Sequence, residues 1–204
     1  MSDEEKVVSW LEENYKGLIL GVIIGLSILY GYKAYISNEN NKQLNLSRQY
    51  DVAINEYNSG KIDEILRYSR NNITQNPENI YTSLASLYSA KEMYKQNNLE
   101  EAYVFLDHII KYSTDNEIRN LAKYRKAKLL IEDESYEEAH LLIGEEPDNY
   151  QHIELKGDLY LIQDEYLKAI NHYTDVLTYS ITPNERKNIV AKINLIKWLC
   201  LSPL

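Results

Sequence analysis

The first pattern along the chain is an apolar run near its beginning. No charged residue occurs from Gly17 to Tyr32, and the run extends to Ile36 when the Lys33 amine reaches the membrane surface. Twenty residues at about 1.5 Å each span about 30 Å, the thickness of the hydrocarbon core of a bilayer. Aromatic residues flank both ends, as expected for rings at the headgroup level. The sequence therefore predicts a transmembrane helix at 17–36 after a short acidic tail at 1–16.

A cleaved signal peptide is the alternative interpretation of this run. The tail before it is acidic rather than basic, and no small-residue cleavage site follows, so we expect the anchor to be retained. Two lysines precede the run and three basic residues follow it closely, and this small excess slightly favours a cytoplasmic location for the domain. Long domains cross membranes regardless of their charge, so the charge pattern leaves the orientation open.

Three glycines in the run form a second pattern. Gly17, Gly21 and Gly25 recur every fourth residue and therefore share one face of the predicted helix. Without side chains at these positions another membrane helix can approach closely, which makes them candidates for a contact face. Glycine is also common in membrane helices in general, and the spacing alone does not separate the two interpretations.

After Ser37 the apolar residues recur at three and four positions, which is the period of an α-helix, and no strand pattern competes. We predict helices at 40–58, 61–74, 77–96, 99–112, 115–132, 136–143, 149–162, 165–179 and 183–199. Capping patterns that support these starts are Asn76 before Pro77, Thr114 with Glu117, Ser135 with Glu138 and Thr182 with Glu185. The predicted fold class is all-α.

Three segments of this region are variants of one turn followed by a helix start. They are 96–102 (QNNLEEA), 133–139 (DESYEEA) and 163–169 (QDEYLKA), with spacings of 37 and 30 residues. These spacings bracket the tetratricopeptide period of about 34 residues. The region 37–204 is therefore predicted to be a degenerate tetratricopeptide-type α-solenoid, with 41–74 as an atypical first hairpin and the last helix as a cap.

A pair of small residues accompanies each copy. Two antiparallel helices approach closely only where both contact positions carry tiny side chains. The predicted packing pairs are Ala90 with Ala102, Ala127 with Ala139, and Gly157 with Ala169. Larger residues follow the second members by four positions (Leu106, Ile143 and Tyr173), and we expect them to fill the gap against the next hairpin.

The repeat register also predicts a binding surface. The face that lines the concave groove, where such solenoids hold extended segments, carries Leu87, Lys91, Tyr94, Tyr124 and Lys128. The chain has 19 tyrosines and one phenylalanine. Tyrosine combines an apolar body with a hydrogen-bonding tip, which suits varied peptides, although most of these rings will pack between helices.

No pattern of an enzyme site occurs. The chain lacks a Walker-type glycine loop, a His-Glu-x-x-His pair, paired cysteines and a nucleophile elbow. The four histidines fall singly on different predicted helices, so we expect no metal, no cofactor and no small-molecule substrate. A net charge of −9 without a basic block argues against a nucleic-acid partner.

The chain resembles the YfgM-like family of ancillary Sec translocon subunits. The resemblance rests on the membrane helix and on YTSLASL at 81–87, NLEEA at 98–102, LKGD at 155–158 and AKINL at 191–195. It implies a single-pass protein of the bacterial inner membrane, with the acidic tail in the cytoplasm and the carboxyl-terminal domain in the periplasm. It further implies association with the SecYEG translocon and with periplasmic chaperones that receive secreted polypeptides.

The sequence is compatible with three classes of function. The first is an ancillary translocon subunit or chaperone adaptor that binds unfolded or secreted polypeptides. The second is a membrane-tethered scaffold whose solenoid faces the cytoplasm, and the third is an enzyme without a recognisable motif. Membrane topology separates the first two classes.

Overall fold

The structure, a computed structural model, describes residues 3–145, 147 and 149–201, and for residues 3–6 and 201 the backbone only. These residues form helices and no strands, which confirms the all-α class. The helices are α1 (Asp3–Asn58), α2 (Ile62–Gln75), α3 (Ile80–Lys95), α4 (Leu99–Tyr112), α5 (Asn116–Glu132), α6 (Tyr136–Ile143), α7 (Tyr150–Ile162), α8 (Tyr166–Val176) and α9 (Pro183–Leu201). The chain divides into two compact units, one ending at Val52 and one beginning at Ala53.

The first unit consists of α1 up to Val52. All side chains from Val7 to Asn38 are exposed, and the most apolar stretch of 18 residues has a mean hydropathy of 1.7. The helix is therefore long and apolar enough to cross a membrane. It also includes residues 3–16 of the predicted tail, whereas Met1 and Ser2 lie outside the described residues.

The two helices predicted at 17–36 and 40–58 are one continuous helix, α1. The polar stretch between residues 36 and 40 contains neither glycine nor proline, so no residue in it strongly opposes a helix. Side-chain hydrogen bonds one turn apart follow directly: Gln43 Nε2 donates to Glu39 Oε1 at 2.9 Å. Such pairs support a solvated helix by a few tenths of a kcal/mol each, about 0.2–0.5.

The second unit repeats one turn four times. The turn joins α1 to α2, α3 to α4, α5 to α6 and α7 to α8, and its central residues have positive φ: Gly60 (91°), Asn97 (59°), Glu134 (60°) and Asp164 (59°). The next amide donates to a carbonyl five residues earlier, at 3.0 Å for Lys61, 2.9 Å for Asn98, 2.8 Å for Ser135 and 2.9 Å for Glu165. This Schellman geometry satisfies carbonyls at the helix end. The turn at Gly60 has the same bonds although its sequence differs, so the first helix connection is regular.

Three of the four predicted capping patterns differ in the structure, although α6 begins at Tyr136 as predicted. Asn76 ends α2 instead of capping α3, which is capped by Asn79 through a 2.9 Å bond from the Tyr81 amide. Asp115 caps α5 instead of Thr114. Ser135 precedes α6, but its side chain makes no capping bond, because the repeat turn fixes ψ at 58° and not in the extended region of a typical cap.

The last capping pattern is confirmed at the start of α9. The Thr182 amide donates to Glu185 Oε2 at 2.7 Å, and the Glu185 amide donates to Thr182 Oγ1 at 3.3 Å. Just before it, α8 ends at Val176 and not at 179 as predicted. The amides of residues 177–179 bond to carbonyls three residues earlier, which tightens and closes the last turn.

Helices of the second unit pack in sequence. The members of each pair α3–α4, α5–α6 and α7–α8 contact each other, and α3, α5 and α7 also contact one another in order. The first helices of the pairs therefore form one layer. At the end, Ile189, Ile193 and Ile196 of α9 are buried in one apolar cluster with Tyr173 and Val176 of α8.

The six predicted packing residues are all buried. Ala90 is 3% exposed and the other four alanines are fully buried. Gly157 lies under Tyr173: a Cβ there would be 2.7 Å from Tyr173 Cε1. The Tyr173 ring therefore fills space within its own helix pair, α7–α8, and it also belongs to the apolar cluster with α9, the helix that follows this pair.

Candidate functional site

A cavity of about 200 Å³ opens between α3 and α5. It is lined by Ala90, Lys91 and Tyr94 of α3, Leu106 of α4, and Arg125, Lys128, Leu129 and Glu132 of α5. Buried apolar side chains supply its floor, because Ala90, Leu106 and Leu129 belong to one core cluster. Polar side chains form the rim, so the cavity combines an apolar base with a charged edge.

Helix geometry explains why these rim residues meet. Lys91 and Tyr94 are three positions apart, so they lie on one face of α3. Arg125, Lys128 and Glu132 are separated by three and four positions and share one face of α5. Because α3 and α5 contact each other, the two faces border the same opening.

The rim carries three cations and one carboxylate. Arg125 Nη1 donates to the Leu87 carbonyl oxygen at 3.4 Å, and Lys128 Nζ lies 5.8 Å from the centre of the Tyr124 ring. The Tyr94 hydroxyl donates to Glu132 Oε2 at 2.7 Å, and this hydrogen bond raises the pKa of Tyr94. Among the described residues no carboxylate forms an ion pair with Lys91, Arg125 or Lys128.

Three of the five predicted groove residues line this cavity: Lys91, Tyr94 and Lys128. Leu87 is only 7% exposed and contributes its carbonyl oxygen to Arg125. Tyr124 turns to α7, where its ring centre lies 6.2 Å from that of His152. Burial, followed by the charges of Glu154 and Asp158, raises the pKa of Tyr124.

The predicted groove set did not include Arg125 and Glu132, although both lie on the same face of α5 as the predicted Lys128. That spacing was a usable signal. The set also lacked Leu106, which reaches the cavity from α4. No pattern in the sequence around Leu106 indicates this position.

A second cavity, of about 310 Å³, continues along α5 and α7. It shares Lys128 and Glu132 with the first and adds Ile131, Leu155, Asp158, Leu161 and Ile162. Asp158 Oδ1 accepts hydrogen bonds from the Tyr173 hydroxyl at 2.6 Å and from Lys192 Nζ at 2.6 Å. Burial and this hydrogen bond raise the pKa of Tyr173. The groove therefore extends from α3 across α5 to α7, with its charge changing along the way.

A third cavity, of about 560 Å³, lies beside α6, α7 and the start of α8. The centre of the Tyr160 ring lies 5.0 Å from that of His140 and 5.3 Å from that of His172, on which it stacks. The fold therefore places two histidines that are distant in the sequence beside the same ring. Lys156, 5% exposed, donates from Nζ to the carbonyl oxygens of Gly144 at 2.6 Å and Glu145 at 2.5 Å. Within the described ranges no group of three acidic, histidine or cysteine side chains is arranged for a metal ion.

The glycine row of the first unit has no neighbours. A Cβ added at Gly17, Gly21 or Gly25 would meet no atom within 4 Å. Packing within the described chain therefore does not require glycine at these positions.

Comparisons with known proteins agree with this architecture. The family model described as a tetratricopeptide repeat-like domain matches residues 8–197. An ancillary SecYEG translocon subunit of Buchnera aphidicola from Schizaphis graminum is 33% identical over 161 residues, or 76% of this chain and 81% of that protein. The protein of the same name from the Acyrthosiphon pisum strain is 28% identical over 189 residues, covering 91% and 96% of the two chains.

A third relative, the ancillary SecYEG translocon subunit of Escherichia coli K12, is 27% identical over 128 residues, or 63% of this chain and 61% of that protein. No solved structure is significantly similar to this chain. The extent of the family match and the 33% identity show that the chain belongs to the YfgM-like family of ancillary SecYEG translocon subunits with a tetratricopeptide repeat-like domain.

Proposed function

We propose that this chain is a membrane-anchored module that binds polypeptides at the Sec translocon and passes them to periplasmic chaperones. In this proposal residues 17–36 span the inner membrane, residues 1–16 lie in the cytoplasm and residues 37–204 form the periplasmic domain. The relatives' name supports association with the translocon. A helix of sufficient length and hydropathy supports an inner-membrane location.

The observation that carries the binding role is the groove along α3, α5 and α7. Its two cavities share Lys128 and Glu132, so together they form one elongated surface suited to an extended chain. Apolar floor residues can take up side chains, while the hydroxyl and charged groups of the rim can bond to a peptide backbone. A groove with these properties can hold an extended segment of a secreted chain through both its side chains and its backbone.

The glycine row is part of the same proposal. Gly17, Gly21 and Gly25 leave one face of α1 without side chains, and nothing in the described chain covers it. In a membrane, where lipid and helix are equally apolar, close backbone packing is a main source of helix association. We therefore assign this face to a helix of the translocon or of a second copy.

Site-specific photocrosslinking tests the binding role. A photoreactive residue is placed at position 128, which borders both cavities, in cells that export a stalled secretory chain. We expect crosslinks to that chain. The matched control is position 123, on another part of the same helix and outside both cavity linings. Equal crosslinking from both positions, or none from position 128, would contradict the groove assignment.

Topology is tested with reporters fused to the carboxyl terminus. Alkaline phosphatase folds in the periplasm, so we expect an active fusion there and a dark cytoplasm-only fluorescent reporter. The reverse pattern would support the membrane-tethered scaffold that faces the cytoplasm and would remove the basis of the chaperone-linked function.

A further inference from the structure

We propose that the cavity between α3 and α5 selects a polypeptide segment in which one apolar side chain is flanked by carboxylates. This inference rests on the proposed polypeptide-binding function and specifies the chemistry of its ligand. It is carried by the lining of the cavity, which joins an apolar floor to a rim with excess positive charge.

The floor fits a single apolar side chain. Ala90, Leu106 and Leu129 form it, and the cavity volume is about 200 Å³. An apolar protein cavity of about 150 Å³ holds a benzene molecule, so the present one has room for a branched or aromatic side chain. Burial of such a group contributes to binding because it removes apolar surface from water.

The rim supplies charge of one dominant sign. Lys91 stands on the α3 side, and Arg125 and Lys128 stand on the α5 side, so cations border the floor from both helices. Against these three cations the lining contains one carboxylate, Glu132, which gives a net charge of +2. Glu132 already accepts the Tyr94 hydroxyl.

The nearest acidic neighbour of Lys91 along the chain does not neutralise it by direct contact. Glu92 is 3% exposed, and its Oε1 accepts hydrogen bonds from the Tyr57 hydroxyl at 2.6 Å and from Lys95 Nζ at 2.8 Å. The three rim cations therefore keep donors for a ligand. Guanidinium and ammonium groups both bind carboxylates through charge-assisted hydrogen bonds.

The charge of the whole molecule makes this proposal specific. The chain carries a net charge of −9, so its long-range field repels acidic peptides and attracts basic ones. A preference for an acidic segment can thus arise only from the local lining. The second cavity is different, since Lys128 is the one cation in its lining, beside Glu132 and an Asp158 that is paired with Lys192. We infer that the carboxylates of a bound segment lie at the α3–α5 end of the groove.

Peptide binding to the full chain in lipid nanodiscs tests the inference. Four fluorescent peptides share the flanks and differ at the centre: Glu-Leu-Glu, Gln-Leu-Gln, Lys-Leu-Lys and Glu-Ala-Glu. Fluorescence anisotropy at low ionic strength gives the dissociation constants. We expect Glu-Leu-Glu to bind most tightly, and the replacement of its leucine by alanine to weaken binding about tenfold.

Charge variants assign the effect to the cavity. We expect Lys91→Gln combined with Lys128→Gln to weaken Glu-Leu-Glu binding about tenfold, because each exposed ion pair accounts for about two- to fivefold. Binding of Gln-Leu-Gln should not change. The matched control, Lys111→Gln combined with Lys123→Gln, removes the same charge outside the lining and should leave binding intact. Circular dichroism of all variants checks that they remain folded.

The outcomes separate this inference from the proposed function. If Gln-Leu-Gln or Lys-Leu-Lys binds as tightly as Glu-Leu-Glu, or if both double variants behave alike, the selectivity for carboxylates is wrong. The groove would still bind polypeptides if position 128 crosslinks to secretory chains. If the fraction of bound peptide falls at high concentrations of the chain, a second copy of the chain competes for the cavity. That result would identify the second copy as the occupant and would also overturn the inference.

Discussion

Glycines in the two units occupy opposite environments. In the first unit Gly17, Gly21 and Gly25 are surrounded by open space, whereas Gly157 in the second unit lies directly under a buried tyrosine ring. Within the repeat domain the small residue is explained by a neighbour in the same chain. In α1 no such neighbour exists among the described residues, so any packing reason must come from another molecule.

Burial differs between the units in the same way. The side chains from Val7 to Asn38 are all exposed, although many are apolar, whereas the second unit collects its apolar side chains in three core clusters. Large exposed apolar surfaces in water mark contact with a membrane or a partner. The first unit thus depends on its surroundings, while the second depends on its own packing.

The largest effect is expected where the repeat domain is overpacked. Leucine in place of Ala102, Ala139 or Ala169, which are all fully buried, adds bulk to a filled contact. We expect each substitution to reduce the free energy of unfolding by up to about 3 kcal/mol. For a unit of this size that lowers the melting temperature by about 2–4 °C per kcal/mol. Thermal melts of the chain in detergent measure it, and unchanged midpoints in all three would contradict the packing assignment.

A smaller loss is expected for Gly157→Ala. The new Cβ would lie 2.7 Å from Tyr173 Cε1, and this ring cannot move freely because it is fully buried and its hydroxyl donates to Asp158. The better helix propensity of alanine offsets part of the strain, which leaves a net loss of about 1–2 kcal/mol. Gly31→Ala is the matched control, since a Cβ there meets nothing within 4 Å. A Gly157→Ala variant as stable as this control would contradict the comparison.

Acid sensitivity should come from the second unit, which contains all four histidines. Burial lowers the pKa of His108, whose Nε2 has no hydrogen-bond partner among the described residues. The unfolded chain therefore takes up this proton at a higher pH than the folded chain. The stabilisation from neutral His108 is full above about pH 6.5 and is lost as the pH falls below that value.

The variant His108→Phe removes this proton-binding site and keeps an aromatic ring beside Tyr112. We expect its free energy of unfolding to fall less steeply below pH 6.5, by at most about 1.4 kcal/mol per pH unit. A smaller slope should remain from His172, whose pKa is lowered by burial and by Lys156. Denaturant titrations from pH 7 to pH 5 measure the slopes. Parallel profiles for the two proteins would contradict the role of His108.

The smallest effect on stability is expected from Gly21→Leu combined with Gly25→Leu. Both positions are open, so the melting temperature of the repeat domain and insertion of α1 should not change. Association with the translocon or with a second copy should weaken, because leucine keeps two helix backbones apart. Co-purification from membranes in mild detergent measures it. Gly31→Leu, outside the four-residue spacing, is the control, and equal recovery from both variants would show that the glycine row is not a contact face.

Much of the fold was predictable because it depends on local interactions. Hydrophobic period, turn residues and an uncharged run act over a few positions, and they correctly indicated helices, repeated turns and an apolar N-terminal helix. Errors arose where two local signals competed. Asp115 lies next to the predicted cap Thr114, and only the extended backbone at Asp115 (ψ 119°) decides which side chain reaches the Ile118 amide.

The candidate groove was predictable only in part. Lys91, Tyr94 and Lys128 follow from the repeat register, but Leu87 and Tyr124 were expected beside them and are absent from the cavity lining. Register identifies the face of a helix, yet a face includes residues that point towards neighbours as well as towards the opening. The aromatic neighbour His152 on α7 determines where the Tyr124 ring lies.

The sequence by itself determined the class of this protein: a helix fit for a membrane, followed by a degenerate helical repeat. These properties need only the neighbours of each residue along the chain, since helix period and turn geometry are local. The tertiary structure alone decided that Tyr173 covers Gly157, that His140 and His172 meet at Tyr160, and that three cations gather over one apolar floor. Such contacts depend on how separate helices pack, and no short stretch of sequence determines which residues of different helices come close together.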